Sequence, residues 1–189
     1  MNTYQTDTGA RLHHMALFYR GAAEYLAAAA DFLREGVEAG ERVLAAVPAD
    51  KHAALRARLG EHHDKVEFAD MLSLGRDPAS LMPALRSFVG SAGRARVLGE
   101  PIWPGRTQPE ICAATRHEAL INVALGHADV SILCPYDATG LPIKVIADAC
   151  RTHPVLRSAG RELASLAYTG PSFLPAGCSP DRPASQEPA

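Results

Sequence analysis

The sequence predicts an α/β fold of three layers: a mostly parallel sheet of about five or more strands, with helices on both faces. Three observations predict it. Short apolar runs of strand length alternate along the chain with segments of helical period. At least one run, "RVLAAVP" at 42–48, is apolar nearly throughout, as in strands covered on both sides. The 189 residues, 47 % of them hydrophobic, suffice for one domain with a full core.

The elements follow in order. Residues 1–11 are polar and read as a mobile N-terminus. "HMALFY", 14–19, is the first strand. "RGAAE" reads as a turn, and "YLAAAADFLREGVEA" as a helix with Leu26, Ala30, Leu33 and Val37 on one face and Gly40 at its end. After the strand at 42–48, "DKHAALRARLG" is a more polar helix. "KVEFADM", 65–71, alternates as a third strand. "RDPASLMPALRSFVGSAG" is a helix with Asp77 at its N-cap, Pro78 at its first position and Pro83 inside it, where it starts late or bends.

"RARVLGE", 94–100, is the fourth strand. Thr107 and Glu110 have capping-box spacing and open a helix that runs to about Gly126. "DVSILCPYD", 129–137, is the fifth strand, and "LPIKVIADACRTH" a helix stopped before Pro154. "ELASLAY", 162–168, fits either a short helix or an edge strand. Residues 12–170 thus form the domain. Residues 171–189, with Pro171, Pro175, Pro180, Pro183 and Pro188, read as a disordered tail or linker.

Composition narrows the function. A formal net charge of −2 gives no electrostatic support for broad binding of nucleic acid or anionic membranes. No signal peptide and no membrane-length apolar run is visible, so a cytoplasmic protein is expected. Cys112, Cys134, Cys150 and Cys178 contain no C-x-x-C pair and are expected reduced, with Cys178 an exposed thiol in the tail.

Parallel α/β sheets bind ligands beyond the carboxyl ends of their strands. Tyr19 lies past the first strand, and Glu100, Trp103 and Arg106 past the fourth, in "GEPIWPGR". Tyr136 and Asp137 end the fifth, and His117, Glu118 and Asn122 lie on the helix that starts at this edge. These nine residues are the candidate ligand-binding set. Several have a plainer reading. Trp103, between two prolines, also suits a plug for the core. Arg106 suits a surface pair with Glu100 or Glu110 as well as an anion clamp. Glu118 and Asn122, four residues apart, share a helix face. His117 faces inward and suits a core histidine bonded to a carboxylate or carbonyl. Cys134 suits inert packing better than nucleophilic chemistry.

His14, His117, Cys134, Asp137 and His153 are metal-ligating types, but no pair has short ligand spacing and H-E-x-x-H is absent; no metal and no cofactor is expected. A phosphate loop is missing too. The first strand-to-helix connection, "YRGAAEYLA", has one glycine, no lysine and no following Ser or Thr, and Glu24 would repel phosphate.

"HHMALFY", "FLREGVEAGERVLAAVP", "VLGEPIWPGR", "RHEALIN", "CPYDATGL" and "THPVL", in this order over about residues 12–170, resemble the MEDS domain, the methanogen/methylotroph DcmR-type sensory domain. The resemblance implies a divergent RecA/KaiC-like fold without the ATP-binding loop. It also implies a role in sensing small molecules, notably hydrocarbon derivatives, within transcriptional or signalling regulators. Relatives join the domain to a histidine-kinase-like ATPase domain of anti-sigma regulators. A partner of that kind, an anti-sigma or anti-anti-sigma component, is therefore implied, and a small-molecule ligand with it. The proline-rich tail stands where such a domain would begin, so no ATPase or kinase activity is expected of these residues.

The leading expectation is a non-catalytic sensory domain, with an oligomer compatible with it. The competing readings are an interaction module with a vestigial cleft, or an enzyme with Glu100 as general base and Arg106 as electrostatic stabiliser.

Overall fold

The computed structural model describes residues 12–170 except 77, 91 and 92, together with 172, 173 and 178. The N-terminal segment 1–11, Asp77 and most of 171–189 lie outside the described residues. The strands are β1 (His13–Tyr19), β2 (Arg42–Val47), β3 (Val66–Asp70), β4 (Ala95–Gly99), β5 (Val130–Asp137), β6 (Val155–Ser158) and β7 (Arg161–Ala164). The helices are α1 (Gly21–Glu38), α2 (His52–Leu59), α3 (Met71–Leu74), α4 (Pro78–Val89), α5 (Gln108–Ala124) and α6 (Ile143–Thr152).

The sheet has seven strands in the order β3-β2-β4-β5-β1-β6-β7. Every neighbouring pair is parallel except β6 with β7. The expected architecture therefore holds, extended by an edge hairpin. The segment with two readings, 162–168, resolves into an edge strand over Arg161–Ala164. Its turn runs through Ala159 and Gly160, both left-handed, the mirror-image turn geometry that suits tight hairpins.

Alternation along each strand divides the core into two layers. Met15, Leu17 and Tyr19 of β1 pack with α1 and α2 through Phe32, Leu33, Leu55 and Leu59. Ala16 of β1, Val97 of β4, and Ile132, Cys134 and Tyr136 of β5 pack on the other face with α4, α5 and α6. His14 falls on this second face by the same alternation.

Three local details differ from expectation. Helix α1 begins at Gly21, not after a turn, and Gly21 adopts φ +77°. A single left-handed glycine thus swings the chain from strand to helix, and Glu24 accepts the Arg20 amide at 2.7 Å. No loop remains there to wrap a phosphate. Pro83 lies inside α4, which starts at Pro78. Cys178 is no exposed thiol: it is buried and disulfide-bonded to Cys112 on α5, and its carbonyl accepts from Arg116.

Pro135 sits within β5 at no cost to the sheet. Strand β4 pairs with β5 only as far as Leu133, whereas β1 follows β5 to Asp137. The proline, which lacks an N–H, therefore falls where β5 has a partner on one side only.

Candidate functional site

The carboxyl ends of the strands do enclose a crevice, of about 430 Å³. Tyr19 at the end of β1 and Gly21 after it, Pro48 and Lys51 after β2, Trp103 after β4 and Asp137 of β5 line it. Three of the nine candidate residues, Tyr19, Trp103 and Asp137, meet here. Asp137 is occupied with its own turn: its Oδ1 accepts from Thr139 N (2.9 Å), Thr139 Oγ1 (2.7 Å) and Gly140 N (3.1 Å). Burial works against it, but these bonds hold its carboxyl below the ordinary range.

Glu100 is fully buried beneath this crevice. Its Oε1 takes Lys51 Nζ at 2.5 Å and the Tyr19 hydroxyl at 3.5 Å, and its Oε2 accepts from the Tyr25 hydroxyl at 3.1 Å. Burial pushes its carboxyl up, and Lys51 pulls it partly back. The same burial and the Glu100 charge push the Tyr25 hydroxyl above its ordinary value. Lys51 also lies 4.2 Å over the Tyr25 ring. Lys51 and Tyr25 were not among the candidates, although Lys51 stands just past the second strand, where the strand-end rule points.

Trp103 and Arg106 brace each other. The guanidinium lies 4.4 Å from the Trp103 ring centre, donates to the Pro101 carbonyl at 2.5 Å and meets Glu110 Oε1 at 3.5 Å. Glu110 in turn accepts from the Thr107 amide and hydroxyl at 2.8 Å each. Arg106 lines a neighbouring hollow with His117 and Glu110, not the crevice.

A larger cavity, about 540 Å³, lies on the other side of the sheet, between it and α4. Leu44, Ala46, Leu85, Phe88, Val97 and Ile132 give it apolar walls, and His117, Glu118 and Cys134 supply polar groups. Burial holds the His117 imidazole below its usual value. Of this lining the strand-end rule reaches only His117 and Glu118, because most of the walls are apolar residues of the strands, α3 and α4.

Glu118 and Asn122 do share a face of α5, and it points into the core. Helix α5 starts at the carboxyl edge and runs back along the sheet. At 1.5 Å per residue, Glu118 sits roughly 15 Å below the start of the helix. It therefore leaves the crevice and meets His14, Cys134 and His153 in mid-sheet.

All four side chains are essentially buried. Glu118 Oε2 stands 3.0 Å from His14 Nε2, 3.2 Å from His153 Nε2 and 3.2 Å from Cys134 Sγ. Cys134 Sγ is 3.5 Å from His14 Nε2. Burial opposes it, yet the two histidines hold Glu118 well below the carboxylate range. Burial and His153 press the His14 imidazole down to about 4, Glu118 and Asn122 pulling the other way. Burial and Glu118 keep the Cys134 thiol high. Tyr136 is buried with its ring edge-on to His153 at 5.6 Å.

The nine candidates thus separate. Tyr19, Trp103 and Asp137 line the crevice with Glu100 beneath it; Arg106 stitches its turn; His117 and Glu118 reach the apolar cavity; Asn122 and Tyr136 surround the buried cluster. His14 and His153 join them, and their signal was present: both stand among the metal-ligating types in the sequence, each at the edge of an apolar segment.

No curated protein matches the chain. Residues 13–154 match the family described as MEDS, the MEthanogen/methylotroph, DcmR Sensory domain. The match runs from β1 to the residue after His153 and takes in the crevice, the cavity and the cluster. The chain therefore belongs to the MEDS family of sensory domains.

Proposed function

We propose that this sensory domain detects a small, mostly apolar molecule in the cavity between the sheet and α4, and passes its occupancy to a regulatory protein partner. The observation that carries the reading is the cavity itself. Its volume of about 540 Å³ is within the range of small-molecule sites, and its walls are predominantly apolar, with His117, Glu118 and Cys134 on one part of the lining and Arg42, Glu67 and Ser87 on another. A hydrocarbon derivative with one polar substituent has that chemistry. His117 and the Glu118 end of the cavity would receive the polar group.

The cavity suits this ligand better than the carboxyl-edge crevice, which is lined by tyrosines and charged groups. Glu100 is surrounded by Lys51, Tyr25 and Tyr19 and offers no open face to a substrate, which argues against a general base there. Sensing then works by differential affinity: the ligand favours the state in which α4 is seated over it.

The test is a thermal-shift screen of short alcohols, ketones and halogenated alkanes, repeated on Leu85→Trp. Leu85 lines the cavity, and the larger ring fills it. At least one compound class should raise Tm in the wild type and leave the variant unmoved. Stabilisation that persists in Leu85→Trp would place the ligand elsewhere, and a screen without response would remove the reading.

A further inference from the structure

We infer that His14, Glu118, Cys134 and His153 form a binding site for a single divalent transition-metal ion, with zinc the best match. Glu118 and Cys134 also line the apolar cavity, but the inference rests on the geometry of the four donors and not on the ligand proposed there.

Hydrogen bonds around the cluster fix the donors. The Asn122 amide nitrogen donates to the Thr152 carbonyl at 2.8 Å, so its oxygen is the atom 3.1 Å from His14 Nδ1. An amide oxygen only accepts, so Nδ1 carries the proton. His153 Nδ1 lies 2.9 Å from the Ala149 carbonyl and is a donor by the same logic. In its neutral form each ring therefore turns a bare Nε2 toward the Glu118 carboxylate. His153 Nε2 is buried and has no hydrogen-bond partner, although Oε2 is 3.2 Å away. Lone pairs converge on one point, and a positive charge between them resolves the conflict.

The geometry suits a metal ion. Bonds of about 2.0–2.1 Å to nitrogen and oxygen and about 2.3 Å to sulfur put tetrahedral ligand atoms roughly 3.3–3.6 Å apart. Here the close pairs stand at 3.0, 3.2, 3.2 and 3.5 Å. The four donor atoms all lie within 4.8 Å of one another. Two imidazoles, a carboxylate and a thiolate suit zinc in donor type. The charges also close: carboxylate plus thiolate balance a dication, leaving a neutral buried centre. Asn122 and the Ala149 carbonyl orient the two rings, the outer-shell support that metal-bound histidines need.

Binding replaces protons with metal. The Cys134 S–H, directed at Glu118 Oε2, loses its proton to solvent and the sulfur bonds the ion. Any proton held between His14 Nε2 and Glu118 leaves as well.

The experiment uses the full chain stripped with a chelator, then titrated with Zn²⁺ by calorimetry and with Co²⁺ by absorbance. The expected result is one ion per chain and a thiolate-to-cobalt charge-transfer band. Cys134→Ser, nearly isosteric, should lose that band and at least tenfold in affinity. Asn122→Ala, which touches no metal, should weaken binding about 10–100-fold with the band retained. His62→Gln/His63→Gln, on the surface, should bind as the wild type does. Unfolding curves in chelator identify any variant that fails to fold, and Asn122→Ala then carries the comparison. Absence of binding, or binding that Cys134→Ser leaves intact, would overturn the site.

Discussion

Two buried carboxylates stand on opposite sides of one sheet, and their surroundings differ in kind. Glu100, beneath the crevice, is met by groups that donate to it: a lysine and two tyrosine hydroxyls. Glu118, on α5, is met by the Nε2 atoms of two imidazoles whose Nδ1 protons are committed elsewhere, and by a thiol. The first set is complete without any addition. The second is complete only with an added proton or cation. Depth alone therefore does not mark a functional carboxylate; the hydrogen-bonding sense of its neighbours does.

The strongest test of this contrast is Lys51→Met. It leaves Glu100 buried without its fixed cation and should cost about 3 kcal/mol in urea unfolding, the usual scale for orphaning one member of a buried pair. A loss under about 1 kcal/mol would mean that the Glu100 cluster is not the closed ion pair described above. Next in size is Asn122→Ala, measured without metal. It strands the His14 Nδ1 donor and should cost about 1–3 kcal/mol. Excess Zn²⁺ should recover stability in the wild type and in this variant, but not in Lys51→Met beyond the wild-type gain.

The smallest expected effect is an internal control at the same sheet edge. Asp70 caps α3 through the Leu72 and Ser73 amides and also accepts from Ala49 N at 3.2 Å. Asp70→Ala should cost about 1 kcal/mol at neutral pH. The Ser73 hydroxyl and these amides lower its pKa below the ordinary 3.8. A lowered carboxylate pKa stabilises the fold above the unfolded pKa and ceases to do so as pH falls through the folded one. The difference between wild type and variant should therefore shrink below about pH 4.

Much of the fold was legible because the period of the apolar residues decides strand against helix. The run at 42–48 and the face of Leu26, Ala30, Leu33 and Val37 each admit one reading. The hairpin of β6 and β7 was not, since its residues are mostly exposed and carry no inward face to betray it. The site was legible in part. Strand ends predicted the crevice, and spacing put Glu118 and Asn122 on one face. The cluster was hidden because each of its residues comes from a different element and none forms a local pair. The cavity was hidden because apolar side chains read as core whether or not something fills the space beside them.

Strand β1 lies between β5 and β6, so the first strand of the chain has no partner until the fifth has been made. On the ribosome, the apolar segment after His13 must wait while some hundred or so further residues emerge, and such long-range closure is slow. His14 waits with it. The cluster that joins residues 14, 118, 134 and 153 can exist only once the sheet has closed. Ion capture at that centre is thus a signal of completed assembly, and following cobalt absorbance during refolding would time the last step of folding directly.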